Sequence, residues 1–154
     1  METQSRKYTV EPLTASDLHW YVSVAAKRML EDEMDRPELF NPKNLYQLFG
    51  KMCEDETGFI AKVDGKPVGA LGSLLVPNMF NPEYEILIEL FWYVLPEYRK
   101  TRAGVMLLDA FDNLGDELNV ERTLSLLTSS DINVHKMSKK GYLLKEYGLR
   151  KGAT

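Results

Sequence analysis

Leu90-Phe91-Trp92-Tyr93-Val94-Leu95-Pro96-Glu97-Tyr98-Arg99-Lys100-Thr101-Arg102-Ala103-Gly104 is the stretch on which the fold turns. An apolar run stops at Pro96, a short basic loop comes next, and the helix-forming run Val105-Met106-Leu107-Leu108 begins at once. A strand that passes into a helix through a basic, glycine-containing loop is a place to hold a phosphate. The first helical turn offers free N–H groups and the positive end of the helix dipole. Arg99, Lys100 and Arg102 add charge to that turn.

Working outward, residues 84–95 read as one long apolar strand interrupted by Glu85 and Glu89, and Leu107, Leu108, Phe111 and Leu114 give the next segment, 103–118, an apolar helical face. Upstream, Asp64-Gly65 between two strand-like runs (58–63 and 67–76) is a hairpin signal, since both turn positions tolerate positive φ. Earlier still, residues 7–13 read as a first strand. Thr14-Ala15-Ser16-Asp17 then reads as a capping box before a helix reaching Met34, and a second helix spans 43–54. Downstream, 123–128 reads as a short buried strand, Ser129-Ser130-Asp131 as the cap of a helix over 132–140, Gly141 as its stop, and 142–149 as a last strand. The order is β-α-α-β-β-β-α-β-α-β. The strand-helix-strand crossover over 84–128 requires a parallel pair. The expected fold is a mixed, mainly antiparallel α/β sheet with helices on both faces, in one domain over residues 1–154.

Bulk properties narrow the function. Net charge is −4, which argues against sequence-independent nucleic-acid binding. One cysteine and two histidines argue against a zinc site, and Cys53 sits at helical spacing with Leu45, Leu48, Phe49 and Met52, as a core residue would. No apolar run approaches the roughly 20 residues of a membrane span. Residues 1–7 lack an apolar signal region. A cytoplasmic location with no membrane contact is the expectation.

The run Val94-Leu95-Pro96-Glu97-Tyr98-Arg99, with Gly104 beyond it, resembles the acetyl-CoA loop of the GNAT N-acetyltransferase superfamily, whose pattern is Arg/Gln-x-x-Gly-x-Gly/Ala after a Val-x-Pro-Glu-Tyr strand end. Arg102 stands where the first glycine of that pattern is found. The element order resembles the family over nearly the whole chain, although the family commonly has one strand more after the Gly141-Tyr142 strand. An edge left open in that way would be covered by a partner chain or a ligand.

The resemblance implies an acetyl-CoA-dependent N-acetyltransferase whose acceptor is a primary amine on a small molecule or a protein. It implies that the N–H groups of Arg102, Ala103 and Gly104 face the CoA phosphates, with Thr101 and the Arg99 and Lys100 side chains beside them. The main chain of Tyr93 and Val94 would pair with the pantetheine arm; Ser130 stands where an asparagine often meets it, and Asn133, one turn later, would replace that asparagine. The amine attacks the thioester directly, so a base is needed. Glu89 and Glu85 are the candidates: strand spacing puts both on one face together with Tyr93, and burial in an apolar strand raises a carboxylate pKa toward neutrality. The family's acidic tyrosine falls at Met137, which cannot donate a proton, leaving Tyr98, Tyr142 or solvent to protonate the thiolate. The acidic run Glu31–Glu38 would border the acceptor and suit a cation. Met79 and Phe80 would offer apolar contacts to a substrate or to a second subunit of a homodimer. The alternative is a catalytically silent member of the fold that binds CoA or a partner protein.

Overall fold

The computed structural model describes residues 5–128, 130 and 132–153. Five strands form one sheet in the order β1-β2-β3-β4-β5: β1 (Tyr8–Pro12), β2 (Gly58–Val63), β3 (Lys66–Pro77), β4 (Glu85–Val94) and β5 (Glu121–Thr123). All neighbours are antiparallel except β4 and β5, which are parallel, as the crossover through α3 (Ala103–Leu118) demands. The β2–β3 hairpin closes through Asp64 and Gly65 at φ 50° and 81°, the left-handed pair that a two-residue turn requires.

The helix after β1 begins at a capping box, where the Asp17 carboxylate accepts from the Thr14 N–H at 3.2 Å and from its hydroxyl at 2.9 Å. It then departs from ordinary α geometry. A short α-helical piece, α1 (Leu18–Trp20), runs into two π-helical stretches, Tyr21–Ala26 and Met29–Glu33. A Pro37–Leu39 turn leads to α2 (Pro42–Glu54), whose Asn41 cap accepts from the Asn44 N–H at 3.1 Å.

Each sheet face buries its own core. On one face Leu71, Leu87 and Val94 pack against Leu107, Leu108 and Phe111 of α3, with Met137 from α4 (Val134–Ser138). On the other, Ile60, Ala70, Phe91 and Tyr93 pack against Tyr21, Val22, Phe49 and Met52. Tyr21 centres that second core. Its ring meets Phe49 and Phe91 edge-on at 4.8 and 5.1 Å, and its hydroxyl donates to the Phe59 carbonyl at 3.1 Å. Cys53 is half-buried against the same core, as its spacing predicts, and burial raises its thiol pKa.

Two expectations are corrected. The strand expected at 123–128 is the three-residue β5, because Leu124 and Leu126 turn in against the α3 core instead of continuing the ladder. The last strand expected at 142–149 does not form. Tyr142 is held at its start, its N–H on the Met137 carbonyl and its hydroxyl on the Asp112 carboxylate, and among the described residues no strand lies alongside 143–149. Leu143, Tyr147 and Leu149 are exposed in consequence. Ser129 and Asp131 of the expected cap lie outside the described residues; the cap of α4 is Asn133, and Gly141 at φ 91° ends the turn after that helix.

The register of β3 on β4 shifts by one residue. Gly72 opposes Phe91 while Ser73 opposes Glu89, so Leu90 is an extra residue bulged out of β4. Gly72 is needed there for space: a Cβ would stand 2.8 Å from the Met52 sulfur and 3.1 Å from the Phe91 ring. Replacing Gly72 by Val is therefore expected to destabilise the fold by about 2 kcal/mol through overpacking, read as a lowered urea midpoint at unchanged m-value.

Candidate active site

β4 is longer than the strand beside it. Its ladder with β5 covers Ile86 to Ile88 and ends at Thr123, while β4 runs on to Val94. Past that fork the two segments part, and among the described residues one side of β4 has no strand to bond. The Leu95 N–H donates to Val68 of β3 at 2.8 Å. Antiparallel alternation then turns the main chain of Tyr93 to β3 and that of Trp92 and Val94 to the open side. Of the two residues expected to offer main-chain groups, Val94 thus faces the open side, as Trp92 does, and Tyr93 faces β3.

Glu89 stands at the fork. Because of the Leu90 bulge it lies on the α3 face with Leu87, whereas Phe91 and Tyr93 fall on the opposite face. The expectation that Glu85, Glu89 and Tyr93 share one face is thus overturned by one inserted residue. Glu89 is only 8% exposed, and Oε1 accepts from the Ser125 N–H at 3.2 Å, just past the end of β5. Burial pushes its pKa up to about 7, the Ser125 hydrogen bond opposing that rise. Glu85 is exposed at the far end of β4, four residues or about 13 Å away along the strand. It lines a separate groove of about 490 Å³ with Asn78, Tyr84, Leu118 and Glu121.

At the other end of the open side lies the basic loop. A short turn, Pro96–Tyr98, leads to Arg102, which precedes α3 with φ −76° and ψ −4°. That conformation suits any residue, so a glycine there is not required by the backbone. The Arg102 guanidinium leaves the loop and lies 4.7 Å from the centre of the Tyr8 ring. The Thr101 hydroxyl donates to the Tyr98 carbonyl at 2.6 Å and accepts from the Ala103 N–H at 3.3 Å. The Gly104 and Val105 N–H groups lie in the first turn of α3, where no carbonyl of the helix reaches them. A Cβ on Gly104 would stand 3.6 Å from Val94 and would project into the space between loop and strand end. Lys100 is exposed. Arg99 has another employment: its Nε donates to the Val94 carbonyl at 2.9 Å, and its guanidinium pairs with Glu33.

Near α4, the Ser130 hydroxyl accepts from the Ile132 N–H at 3.1 Å and the Asn133 side chain from the Lys136 N–H at 2.9 Å. Each side chain keeps a donor. Met137 is buried in the α3 core, and the Tyr142 hydroxyl, its pKa raised by burial and by Asp112, is committed to that carboxylate. The acidic run Glu31–Glu38 is largely paired with basic side chains. Glu31 pairs with Lys27, Asp32 with Arg28, Glu33 with Arg99 and Glu38 with Arg36. Met79 and Phe80 are exposed, as their place in a loop predicts.

Sequence reasoning missed Trp92. Its indole N–H and the Tyr93 hydroxyl are two of the three buried side-chain polar atoms without a hydrogen-bond partner among the described residues, and both sit on β4 just before the loop. The two orphaned atoms lie on opposite faces of the sheet, Trp92 against the α3 core and Tyr93 in the core around Tyr21, while the open main-chain edge of β4 and the free N–H groups of α3 fit an elongated polar ligand ending in an anion. No group of three or more His, Cys, Asp or Glu among the described residues is placed to hold a metal, and no helix there is long and apolar enough to cross a membrane.

A forked sheet with a basic strand-to-helix loop at the end of the fork defines an acyltransferase-like architecture. The acetyltransferase (GNAT) family model matches residues 26–141, and the chain belongs to that family. Solved structures agree on the fold. A predicted acetyltransferase with acetyl-CoA from Clostridium acetobutylicum superposes with a TM-score of 0.74 at 19% identity, covering 96% of each chain. An aminoglycoside acetyltransferase from an uncultured soil metagenomic sample gives 0.71 at 17%, covering 96% of this chain and 95% of that one. A transcriptional regulator from Bacillus halodurans gives 0.74 at 17%, covering 95% and 99%. No curated protein matches the sequence.

The raised pKa of Glu89 carries a stability consequence. The folded state binds its proton more tightly than the unfolded chain, so the stability contribution is present below about pH 4.5 and is lost as pH rises through about 7. Relative to wild type, Glu89→Gln should gain up to about 3 kcal/mol at pH 8 and nothing at pH 4.5. Denaturant midpoints at the two pH values measure this.

Proposed function

We propose that this chain is an acetyl-CoA-dependent N-acetyltransferase that moves an acetyl group to a primary amine of a small molecule or protein, acting in the cytoplasm. The observation that carries the reading is Glu89: a buried carboxylate titrating near neutrality, set at the fork where β4 leaves β5. Nothing in the packing of an ordinary sheet calls for a carboxylate there.

Acetyl-CoA supplies an activated acetyl thioester. The N–H groups of Arg102, Gly104 and Val105, with Lys100 and Thr101 beside them, are assigned to its phosphates, the Ala103 N–H being taken by the Thr101 hydroxyl. Cleft-side main-chain groups of Trp92 and Val94 are assigned to its pantetheine arm, with the Ser130 hydroxyl and the Asn133 amide as donors from the opposite wall. Glu89 takes a proton from the attacking amine, directly or through one water, as the new C–N bond forms and the C–S bond breaks. No side chain near Met137 is assigned to protonate the departing thiolate, which is a tolerable leaving group near neutral pH.

That buried methionine favours a second reading, a CoA-binding member of the family that does not turn over and acts by association. Glu85 has no part in either reading.

Thermal melting with acetyl-CoA, CoA and a phosphate control tests the donor site. At 100 times Kd, acetyl-CoA should add about 2.7 kcal/mol of stability. Gly104→Trp should abolish the shift. In an assay of acetyl transfer to a panel of primary amines, kcat/KM should rise as pH passes about 7 and Glu89 loses its proton. Glu89→Gln should lower it by about 10²–10⁴. Stabilisation by acetyl-CoA without transfer to any amine would select the second reading, and no stabilisation at millimolar acetyl-CoA would remove both.

A further inference from the structure

The geometry points to Arg99 as a positioning residue that ties the cleft end of β4 to the π-helical segment Met29–Glu33 through Glu33, instead of binding the donor's phosphates. This inference rests on the acyl-donor reading above only for what occupies the cleft.

Three contacts fix the side chain. Nε donates to the Val94 carbonyl at 2.9 Å, a guanidinium nitrogen pairs with the Glu33 carboxylate, and the guanidinium lies 5.3 Å from the centre of the Tyr93 ring. Neither partner of the ion pair is freely solvated, their side chains being 34% and 22% exposed. Arginine suits the task because its planar fork donates in two directions at once, to a backbone carbonyl and to a carboxylate. A lysine ammonium at the end of a flexible stem satisfies one of them at a time.

The far end of the tie explains its use. π-Helical turns are rare and are frequently found at functional sites. The two such stretches here make up most of the helix between β1 and α2. Among the described residues, the ion pairs of segment 27–38 are Lys27–Glu31, Arg28–Asp32, Arg36–Glu38 and Glu33–Arg99, and only the last reaches beyond that segment; at the other end of the helix Asp17 pairs with Lys62 of β2 at 3.3 Å. The C-terminal end of the helix is thus held to the sheet by one ion pair, from the donor loop, beside the apolar packing of Met29. Val94 is also a residue whose main chain faces the open side of β4. A ligand pairing with that strand meets the same peptide group that Arg99 grips, and its arrival is felt at Glu33. Close by, the Tyr93 hydroxyl is buried without a partner on the face that this helix covers. The tie therefore also sets how tightly the helix closes over that hydroxyl.

Hydrogen exchange on the full chain, with and without acetyl-CoA as the probe, tests this in wild type, Glu33→Gln and Arg99→Lys. Without ligand, both variants should exchange amides 27–34 about tenfold faster than wild type, the effect of losing one charge-assisted hydrogen bond, while 42–54 is unchanged. Acetyl-CoA should slow exchange at 99–106 in all three proteins but at 27–34 in wild type alone. Its Kd should stay within about threefold across the set, less than the loss of one charge-assisted hydrogen bond produces. A tenfold weaker Kd in Arg99→Lys with unaltered exchange at 27–34 would overturn the proposal in favour of a phosphate ligand. So would protection of 27–34 by acetyl-CoA that survives Glu33→Gln. If acetyl-CoA protects nothing in wild type, the donor reading fails, and the comparison without ligand still decides whether Arg99 holds the helix.

Discussion

The site depends on one extra residue in β4. A strand alternates its side chains between two faces, and inserting a single residue reverses every assignment beyond it. Leu90 is that residue. Before it, Leu87 and Glu89 face α3; after it, Phe91 and Tyr93 face α1 and α2. Without the bulge, Glu89 and Phe91 would lie on the same side, and either the carboxylate would enter the aromatic cluster around Tyr21 or the aromatic cluster would lose a ring. The glycine opposite is part of the same solution, since the Met52 sulfur and the Phe91 ring already fill the place of its Cβ.

The fork in the sheet and the state of Glu89 are one electrostatic arrangement. β5 is short because its continuation, Leu124 and Leu126, packs inward. The divergence leaves Glu89 facing a gap that a strand would otherwise have filled, with a single backbone N–H, that of Ser125, to solvate its charge. One hydrogen bond does not replace the hydration of a carboxylate, so the proton is held to about pH 7. The same gap exposes main-chain groups of Trp92 and Val94 and leads to the free N–H groups of α3. Polar strand edge, basic loop and poised carboxylate occur together because all three follow from the point where β4 leaves β5.

Family membership and fold leave the chemistry to these details. Solved relatives at 19% and 17% identity include acetyltransferases and a transcriptional regulator, so the shared architecture does not choose among activities. What this chain adds is specific. A methionine fills the core where the resemblance led one to expect an acid. Four of the carboxylates in the acidic run are paired, three with neighbouring basic side chains and Glu33 with Arg99 of the loop. The loop's first arginine braces a helix.

Much of this was legible in the residues themselves. The 3.6-residue period of Leu107, Leu108 and Phe111, the Asp64-Gly65 turn and the crossover over 84–128 are local or near-local signals, and they determined the helices, the hairpin and the one parallel pair. So did the basic strand-to-helix loop, because helix N–H groups are a property of any helix start. The bulge at Leu90 was not legible, since an inserted residue looks like any other in an apolar run and shows only when Gly72 and Ser73 find their partners. Nor was the fate of 142–149. Its alternating apolar residues read as a strand, but a strand exists only against a neighbour, and the ladder of β5 ends after three residues. The side-chain employment of Arg99 and Arg102 likewise required the tertiary structure, which brings Glu33 and Tyr8, distant in sequence, within reach of the same loop. Sequence determined which segments could form and where charge and apolar surface lie along them; long-range packing decided register, partners and the protonation of Glu89, because each depends on atoms that meet only in the folded chain.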